Sequence, residues 1–204
     1  MKPPTASHPF ETTRLAVVAW LTSLRWDGVP RLGFSATAPC SGRQDRREAL
    51  ASIVVTATAR ALRPGTHPAP IVALVGAQGG GKSAFLDVLF GTWHTDYRPQ
   101  ASQLPLAWCH EIDGDTPHDA TGAADAPCIA VRAPFARTAV DVPRWWLLVA
   151  TTNNPYTYAD SRRFVPYLID DAPNLDGLRA VRDQLFAEAV AMVTAELHPP
   201  TPAA

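Results

Sequence analysis

Lysine is nearly absent from this chain: of its 18 basic residues, only Lys2 and Lys82 are lysines and the others are arginines. The net charge is also small, at −1, so binding of nucleic acid has to come from a local basic patch. No apolar run approaches the roughly 18 residues of a membrane span, and the first 14 residues lack the apolar segment of a signal peptide. These absences predict a cytoplasmic protein without a membrane partner.

Cysteine is scarce as well, and the three cysteines, Cys40, Cys109 and Cys128, have no paired spacing. This usage is typical of a reduced cytoplasm rather than of a disulfide framework. A zinc site built from Cys109, His110, His118 and Cys128 is an alternative. No C-x-x-C or H-x-x-x-H spacing supports it.

One motif carries most of the chemical information. An apolar run of strand length, Ile71–Val75, is followed by a segment that matches G-x-x-x-x-G-K-[ST]. Phe85, Leu86, Val88 and Leu89 then follow at the spacing of a helix inner face. This is the strand, loop and helix context of a phosphate loop. The predicted phosphate-binding residues are Gly76, Ala77, Gln78, Gly79, Gly80, Gly81, Lys82 and Ser83.

The chemistry of a polyphosphate explains these residue types. Glycines allow the positive-φ turns that point backbone N–H groups at phosphate oxygens, and the following helix adds its positive N-terminal end. Lys82 would reach the β- and γ-phosphates, and Ser83 would place its hydroxyl on Mg²⁺. A chain otherwise rich in arginine keeps lysine where a compact charge fits. The motif therefore predicts a nucleoside triphosphate site with Mg²⁺, against the alternative of a glycine-rich turn between core elements.

Two further apolar runs end in polar residues that suit the same site. Residues 104–109 predict a strand that leads to Glu111 and Asp113, one to hold Mg²⁺ and one to polarise the attacking water. Residues 145–150 predict another buried strand, which leads to Asn153 and Asn154. An amide at that position can orient the water. The alternatives are that the acids only solvate a strand end and that the asparagines only make a turn.

The remaining patterns define the fold class. Residues 11–24, 45–62 and 174–197 have the spacing of amphipathic helices, whereas residues 114–127 predict an exposed connection. We expect a single α/β domain of the P-loop NTPase type, with a mainly parallel sheet flanked by helices and a small helical N-terminal subdomain. The predicted divisions are residues 1–65 for the helical subdomain, 66–198 for the ATPase core and 199–204 for a disordered tail.

Several segments, in the same order along the chain, resemble the virulence-associated protein E family. These are the helicase-like ATPases of phages, plasmids and genomic islands, related to superfamily 3 helicases within the AAA+ class. Besides the phosphate loop and the acid-tipped strand, the matching segments are residues 26–32 (WDGVPRL), 60–65 (RALRPG), 150–153 (ATTN), 163–166 (RFVP) and 182–189 (RDQLFAEA).

The resemblance implies roles for the paired residues. Glu111 and Asp113 would form the second nucleotide motif, and Asn153 or Asn154 would be the first sensor. Arg162 or Arg163 would act as a finger on the ATP of a neighbouring subunit, in a homo-oligomeric ring. The alternative is that these two arginines are a solvated pair.

The resemblance also implies a DNA contact. Arg132, Arg137 and Arg144 would lie near a hairpin that superfamily 3 helicases direct at single-stranded DNA, where positive charge grips the backbone without reading sequence. Between Arg132 and Arg163 the chain has five arginines against two acids, so this local region is basic although the protein is not.

These implications lead to one expected function and two alternatives. The expected function is Mg²⁺-dependent ATP hydrolysis coupled to movement on DNA during replication of a mobile element, alone or with a separate primase or replication protein. The segment between Asp113 and Arg132 is shorter than in the family, which leaves open an ATP-binding remnant or regulator without turnover. The second alternative is a small P-loop kinase that acts on a metabolite as a monomer.

Overall fold

The protein is an α/β fold built on a five-stranded parallel sheet with helices packed against it. The computed structural model describes residues 9–32, 46–65, 70–97, 104–114, 126–132, 137–154, 156–157, 163–169 and 172–197. The helices are α1 (Pro9–Ser23), α2 (Arg46–Leu62), α3 (Lys82–Phe90) and α4 (Leu175–Leu197). The strands are β1 (Ile71–Val75), β2 (His94–Asp96), β3 (Cys109–Asp113), β4 (Cys128–Val131), β5 (Val140–Pro143), β6 (Leu147–Thr152) and β7 (Phe164–Leu168). Within the described segments, no helix combines the length and the apolarity that crossing a membrane requires.

The large sheet has the strand order β2-β3-β6-β1-β7, and all of its pairings are parallel. Every residue of β1 and β6 is buried, as in strands that are covered on both faces. β6 separates the phosphate-loop strand β1 from the acidic strand β3. The carboxyl ends of β1, β3 and β6 therefore meet at one edge of the sheet, which we call the carboxyl edge; the opposite side is the amino edge.

The outer strand β7 contains Pro166, which the sequence did not identify as part of a strand. The backbone groups of Arg163 and Ile169 face β1, because Ile71 N donates to Arg163 O and Ile169 N donates to Val75 O, both at 2.7 Å. Alternation along the strand then places Pro166 on the outward-facing set. Its missing N–H removes no bond to β1, which is why proline is tolerated there.

All four helices contribute to one hydrophobic core, which they share with the sheet. Its centre is an aromatic cluster with ring centroids 5.1 to 6.1 Å apart, in mostly tilted or edge-on pairs. The core includes residues on both sides of the predicted division at residue 65, so the N-terminal helices bury their apolar faces against the elements that follow them. The cluster consists of Trp20, Phe90, Trp93, Trp108 and Phe186.

The prediction of a strand over residues 104–109 was wrong. Leu104–Leu106 form a 3-10 helix, and the strand begins only at Cys109. Pro105 has no N–H for a sheet ladder, and Trp108 turns into the aromatic cluster, where its Nε1 donates to Ala57 O at 3.1 Å. Glu111 consequently lies inside β3 rather than after it. Similarly, β6 begins at Leu147 rather than at Trp145, although Trp145 is buried.

A second, smaller sheet is an antiparallel hairpin of β4 and β5, in which Val131 pairs with Val140. Its base is fixed by Arg144, whose N–H donates to Pro127 O at 2.8 Å and whose carbonyl accepts from Gly65 N at 2.8 Å. The chain then passes directly into β6. The hairpin therefore extends from the amino edge of the large sheet.

Candidate nucleotide site

A cleft of about 970 Å³ opens at the carboxyl edge of the large sheet. Ligands of open α/β sheets bind at this edge, where strand ends and helix N-termini converge. One wall is formed by residues 78–83 of the phosphate loop, the floor by residues 111–113 and 151–153, and the opposite wall by residues 94–97 around β2. The cleft thus brings together the three sequence segments that were predicted to act on a nucleotide.

The phosphate loop has the backbone that its glycines predict. Gly79 has φ 73° and Gly81 has φ 80°, which are left-handed values that residues with a side chain rarely adopt. Gly81 is the N-cap of α3, so the free N–H groups of the first helical turn point toward the cleft. Residues 78–83 line the cleft, whereas Gly76 and Ala77 contribute through their carbonyl groups.

Lys82 is held at the centre of this loop and is only 9% exposed. Its Nζ donates to Gly76 O and Ala77 O, each at 2.8 Å, and to Asn153 Oδ1 at 2.9 Å. Burial lowers the pKa of Lys82, and the nearby charge of Glu111 partly offsets that effect. The ammonium group is therefore positioned over the loop, where phosphate oxygens can replace these neutral acceptors.

Glu111 contacts several polar side chains of the cleft. Its Oε1 accepts from Ser83 Oγ at 2.7 Å and from Thr151 Oγ1 at 2.6 Å. Its Oε2 lies 3.3 Å from Nε2 of His94, a charge contact rather than an aligned hydrogen bond. Burial raises the pKa of Glu111, but the contacts with His94, Thr151 and Ser83 outweigh burial, and the net pKa is lowered. Glu111 is therefore an anion in contact with the hydroxyl of the phosphate loop.

The donor set at this point suits Mg²⁺, which prefers oxygen ligands and keeps several of its waters. Ser83 and Glu111 bring a hydroxyl and a carboxylate together, and Asp113 lies two residues further along β3 on the same face. Asp113 is exposed and lines the cleft. The two acids thus differ in position: Glu111 is next to the phosphate loop, and Asp113 is nearer the open cleft.

The two adjacent asparagines also differ. Both are exposed, but Asn153 lines the cleft and contacts Lys82, whereas Asn154 makes a turn. In that turn, Asn154 N donates to Thr152 Oγ1 at 3.0 Å, and Asn154 Oδ1 accepts from Tyr156 N at 3.0 Å. Asn154 therefore forms a turn, as the alternative interpretation of the asparagines predicted. Asn153 is the amide that faces the cleft.

The zinc alternative finds no support in the described part of the chain. Cys109 and His110 are neighbours on β3, so their side chains point to opposite faces of the sheet. Cys128 is exposed on β4, and His118 lies outside the described residues. Among the described residues, no group of three or more His, Cys, Asp or Glu side chains could hold a metal ion.

The predicted arginines that the structure describes lie away from the cleft. Arg163 is exposed and directly precedes β7 at the amino edge, while Arg162 lies outside the described residues. Arg132 and Arg137 are exposed on the two sides of the hairpin end. Arg144 was predicted to contact DNA, but its side chain is only 3% exposed and lies at the base of the hairpin.

Sequence reasoning missed two residues that contact Glu111. Thr151 stands two positions before Asn153 in a strand read only for its apolar residues. His94 belongs to β2, a three-residue strand without an apolar pattern, so no local signal indicated it. A search for polar residues at the ends of all strands would have found Thr151, but not His94.

Comparison with known proteins places these observations in a family. The virulence-associated protein E-like domain matches residues 21–114 and 128–199, which is more than half of the chain. No curated protein matches this chain. Two solved structures of the NrS-1 C-terminal region, both without ligand, are similar at 8% and 9% identity with a TM-score of 0.46. This chain covers 49% of each of them, about half of their length, and they cover 81% of this chain. The chain belongs to the virulence-associated protein E-like domain family.

Proposed function

We propose that this protein binds ATP with Mg²⁺ and hydrolyses it, as a helicase-like ATPase that acts on DNA. The observation that carries the proposal is the convergence of Lys82, Ser83, Glu111 and Asn153 at one edge of the sheet, linked by contacts of 2.7 to 2.9 Å. These residues come from α3, β3 and the end of β6, so no local folding preference explains their meeting. A phosphate loop with Lys82 at its centre favours a nucleoside triphosphate as the ligand.

The positions of the side chains support a division of roles. Lys82 would exchange its carbonyl contacts for phosphate oxygens, and the N–H groups of the loop would bind the same phosphates. Ser83 and Glu111 would hold Mg²⁺, which when bound neutralises charge on the β- and γ-phosphates. Asp113, further along the same face of β3, would accept the proton of the attacking water, and Asn153 would orient that water.

The reaction follows from these roles. The water oxygen forms a bond to the γ-phosphorus as the bond from that phosphorus to the β–γ bridging oxygen breaks, giving ADP and inorganic phosphate. Asp113 takes the proton that the water loses. Lys82 stabilises the charge that develops on the transferred group, because its ammonium lies at the centre of the phosphate loop.

Arg163 supports an assembly of several subunits. It precedes β7 at the amino edge, whereas the phosphate loop follows β1 at the carboxyl edge, and the two strands are parallel with Ile71 opposite Phe164. A strand of five residues rises roughly 16 Å. Arg163 therefore cannot reach the γ-phosphate bound in its own subunit, and it would serve the nucleotide of a neighbour in a ring.

The hairpin at the amino edge supports a contact with DNA. Arg132 and Arg137 are exposed at its end, where they can approach a phosphate backbone without reading its sequence. Together with the family membership, this arrangement favours single-stranded DNA as the partner and replication of a mobile element as the setting, with or without a separate primase.

The proposal is tested by steady-state ATP hydrolysis over a range of protein concentrations, with and without single-stranded DNA. We expect turnover that rises more steeply than linearly with protein concentration and increases with DNA. Lys82→Ala and Arg163→Ala should each abolish it, whereas Arg179→Ala, which removes an exposed arginine on α4, should not. Tight binding without turnover would make the chain a binding module, and metabolite-dependent turnover of a monomer would make it a kinase.

A further inference from the structure

His94 lies in the wall of the cleft, outside the set of residues that the motifs predict. Its side chain is 7% exposed, and it stands between two carboxylates. Nδ1 lies 2.7 Å from Asp87 Oδ1, and Nε2 lies 3.3 Å from Glu111 Oε2. His94 therefore joins three elements, because Asp87 belongs to α3, His94 to β2 and Glu111 to β3.

Asp87 fixes the orientation of the imidazole ring. It is four residues after Ser83 on α3, so both side chains lie on the face of the helix that meets the cleft. An ionised carboxylate can only accept hydrogen bonds, so Nδ1 of His94 carries a proton and donates a hydrogen bond to Asp87. With Nδ1 committed to Asp87, the other ring nitrogen, Nε2, faces Glu111.

The two oxygens of Glu111 have different surroundings. Oε1 accepts from Ser83 and Thr151, whereas His94 lies against Oε2. The hydroxyl of Ser83 and one carboxylate oxygen are thus held 2.7 Å apart. If His94 were absent, the carboxylate would be restrained from one side only.

We propose that His94 is a positioning residue that acts through Glu111 on the Mg²⁺ of the bound nucleotide. It fixes the plane of the carboxylate, so that Glu111 and Ser83 present a preformed pair of oxygens to the metal and its waters. The inference rests on the proposed function, since it requires a Mg²⁺–ATP complex in the cleft. Residues that orient a metal-binding side chain in this way typically contribute about 10–100-fold in metal affinity or activity.

The test separates the binding of nucleotide from the effect of Mg²⁺. A fluorescent ATP analogue is titrated first in EDTA, and Mg²⁺ is then titrated into the complex. We expect His94→Ala to bind the analogue in EDTA within about twofold of the wild type, because Lys82 and the loop are intact. The Mg²⁺ concentration that gives half of the maximal fluorescence change should rise about 10-fold or more in this variant.

Two further variants distinguish positioning from simple packing. His94→Gln places an amide N–H where Nε2 stood and should restore the Mg²⁺ dependence to within about threefold, whereas His94→Phe fills the same space without a donor and should behave like His94→Ala. Glu111→Gln should itself shift the Mg²⁺ dependence. Adding His94→Ala to Glu111→Gln should shift it no further, because the effects of substitutions at coupled residues are not additive. Thermal unfolding of each variant shows that the comparison is made on folded protein.

Each result decides the question. A His94→Ala variant with an unchanged Mg²⁺ dependence would overturn the proposal, provided that Glu111→Gln shows a shift. Full additivity of the two substitutions would overturn it as well, because His94 would then act independently of Glu111. If the wild-type protein binds no nucleotide in either condition, the proposed function fails; if it binds nucleotide through Lys82 and only the role of His94 fails, the proposed function stands.

Discussion

The two edges of the same sheet are built differently. At the carboxyl edge, polar side chains are buried and satisfied by one another: Lys82 by carbonyls and Asn153, and Glu111 by Ser83 and Thr151. At the amino edge, arginines stand at the surface before β7 and at the end of the hairpin. Buried polar contacts therefore characterise the carboxyl edge, and surface arginines characterise the amino edge.

This difference indicates which part of the proposed activity each edge of the sheet would supply. Groups that their neighbours already hold in position stabilise charge with little reorientation. Exposed arginines gain little until a partner phosphate approaches them, because water screens their charge. Nucleotide binding would therefore take place within one subunit, whereas completion of the reaction and the DNA contact would take place between molecules.

The largest effect is expected at the centre of the carboxyl edge. Lys82→Ala should reduce ATP affinity at least 100-fold, because each hydrogen bond from a charged donor contributes roughly 1.5–3 kcal/mol and the ammonium would make more than one. Lys82→Arg should also bind poorly, since a planar fork does not fit the space of a compact ammonium. Equilibrium binding of a fluorescent ATP analogue measures both, and near wild-type affinity in Lys82→Ala would contradict the assigned site.

The next effect separates the two acids of β3. Asp113→Asn should lower kcat about 100-fold, the usual contribution of a proton acceptor, while nucleotide affinity stays within about threefold. Single-turnover hydrolysis with saturating Mg²⁺ isolates this step. A variant that hydrolyses at the wild-type rate would assign the water to another residue, and a variant that loses nucleotide binding would show that Asp113 acts on the metal instead.

A smaller effect is expected at the hairpin, where the exposed arginines should affect DNA binding and the buried arginine should affect stability. Replacing Arg132 and Arg137 together by glutamine should weaken single-stranded DNA binding and reduce the salt slope by about 0.7 for each phosphate that is no longer neutralised. Arg144→Gln should leave DNA affinity unchanged and instead lower the free energy of unfolding, by about 1–3 kcal/mol, since its guanidinium is buried.

DNA titrations at several salt concentrations and urea unfolding of the same proteins measure the two properties. An equal decrease of DNA affinity in Arg144→Gln and in the double variant would show that burial does not remove Arg144 from the DNA interface. Unchanged DNA binding in the double variant would show that the hairpin does not bind DNA.

The smallest effect is expected far from both edges, in the loop after α1. Asp27 accepts from Arg31 at 2.6 Å and from the Val29 N–H, and these contacts lower its pKa from 3.8 to about 2. Because the folded-state pKa is the lower one, the stability that the contacts provide is present above pH 3.8 and is lost as the pH falls toward 2. Asp27→Asn should therefore narrow the difference in Tm between pH 5 and pH 3, by a small amount because the pair is exposed. If the Tm difference between pH 5 and pH 3 were the same in Asp27→Asn and in the wild type, the contacts of Asp27 would not persist in solution.

The sequence predicted the structures that local chemistry determines. The strand, loop and helix around Lys82 were correct in type and position, because glycine conformations and helix periodicity are local properties. The bounds of α2 at Leu62 and of the last helix at Leu197 were likewise confirmed, as each ends before residues that cannot continue a helix.

The missed features depend on partners distant in sequence. β2 has three residues and no apolar pattern, and it exists because it pairs with β3. Arg144 resembles an exposed arginine in every local respect, and only the packing of the hairpin base buries it. Glu111 lies within a strand because Leu104–Leu106 form a 3-10 helix and the strand begins only at Cys109. The sequence contains these residues but no local sign of their surroundings.

The claim that the two edges act in different subunits is tested most directly by mixing two inactive variants. Lys82→Ala retains Arg163 but lacks a working phosphate loop, and Arg163→Ala has the reverse defect. If the arginine of one subunit completes the site of its neighbour, mixing the two proteins in the presence of single-stranded DNA should restore ATP hydrolysis, with the highest rate near equal amounts. Hydrolysis that stays at the level of the separate variants at every ratio, under conditions where the wild type is active, would contradict the claim.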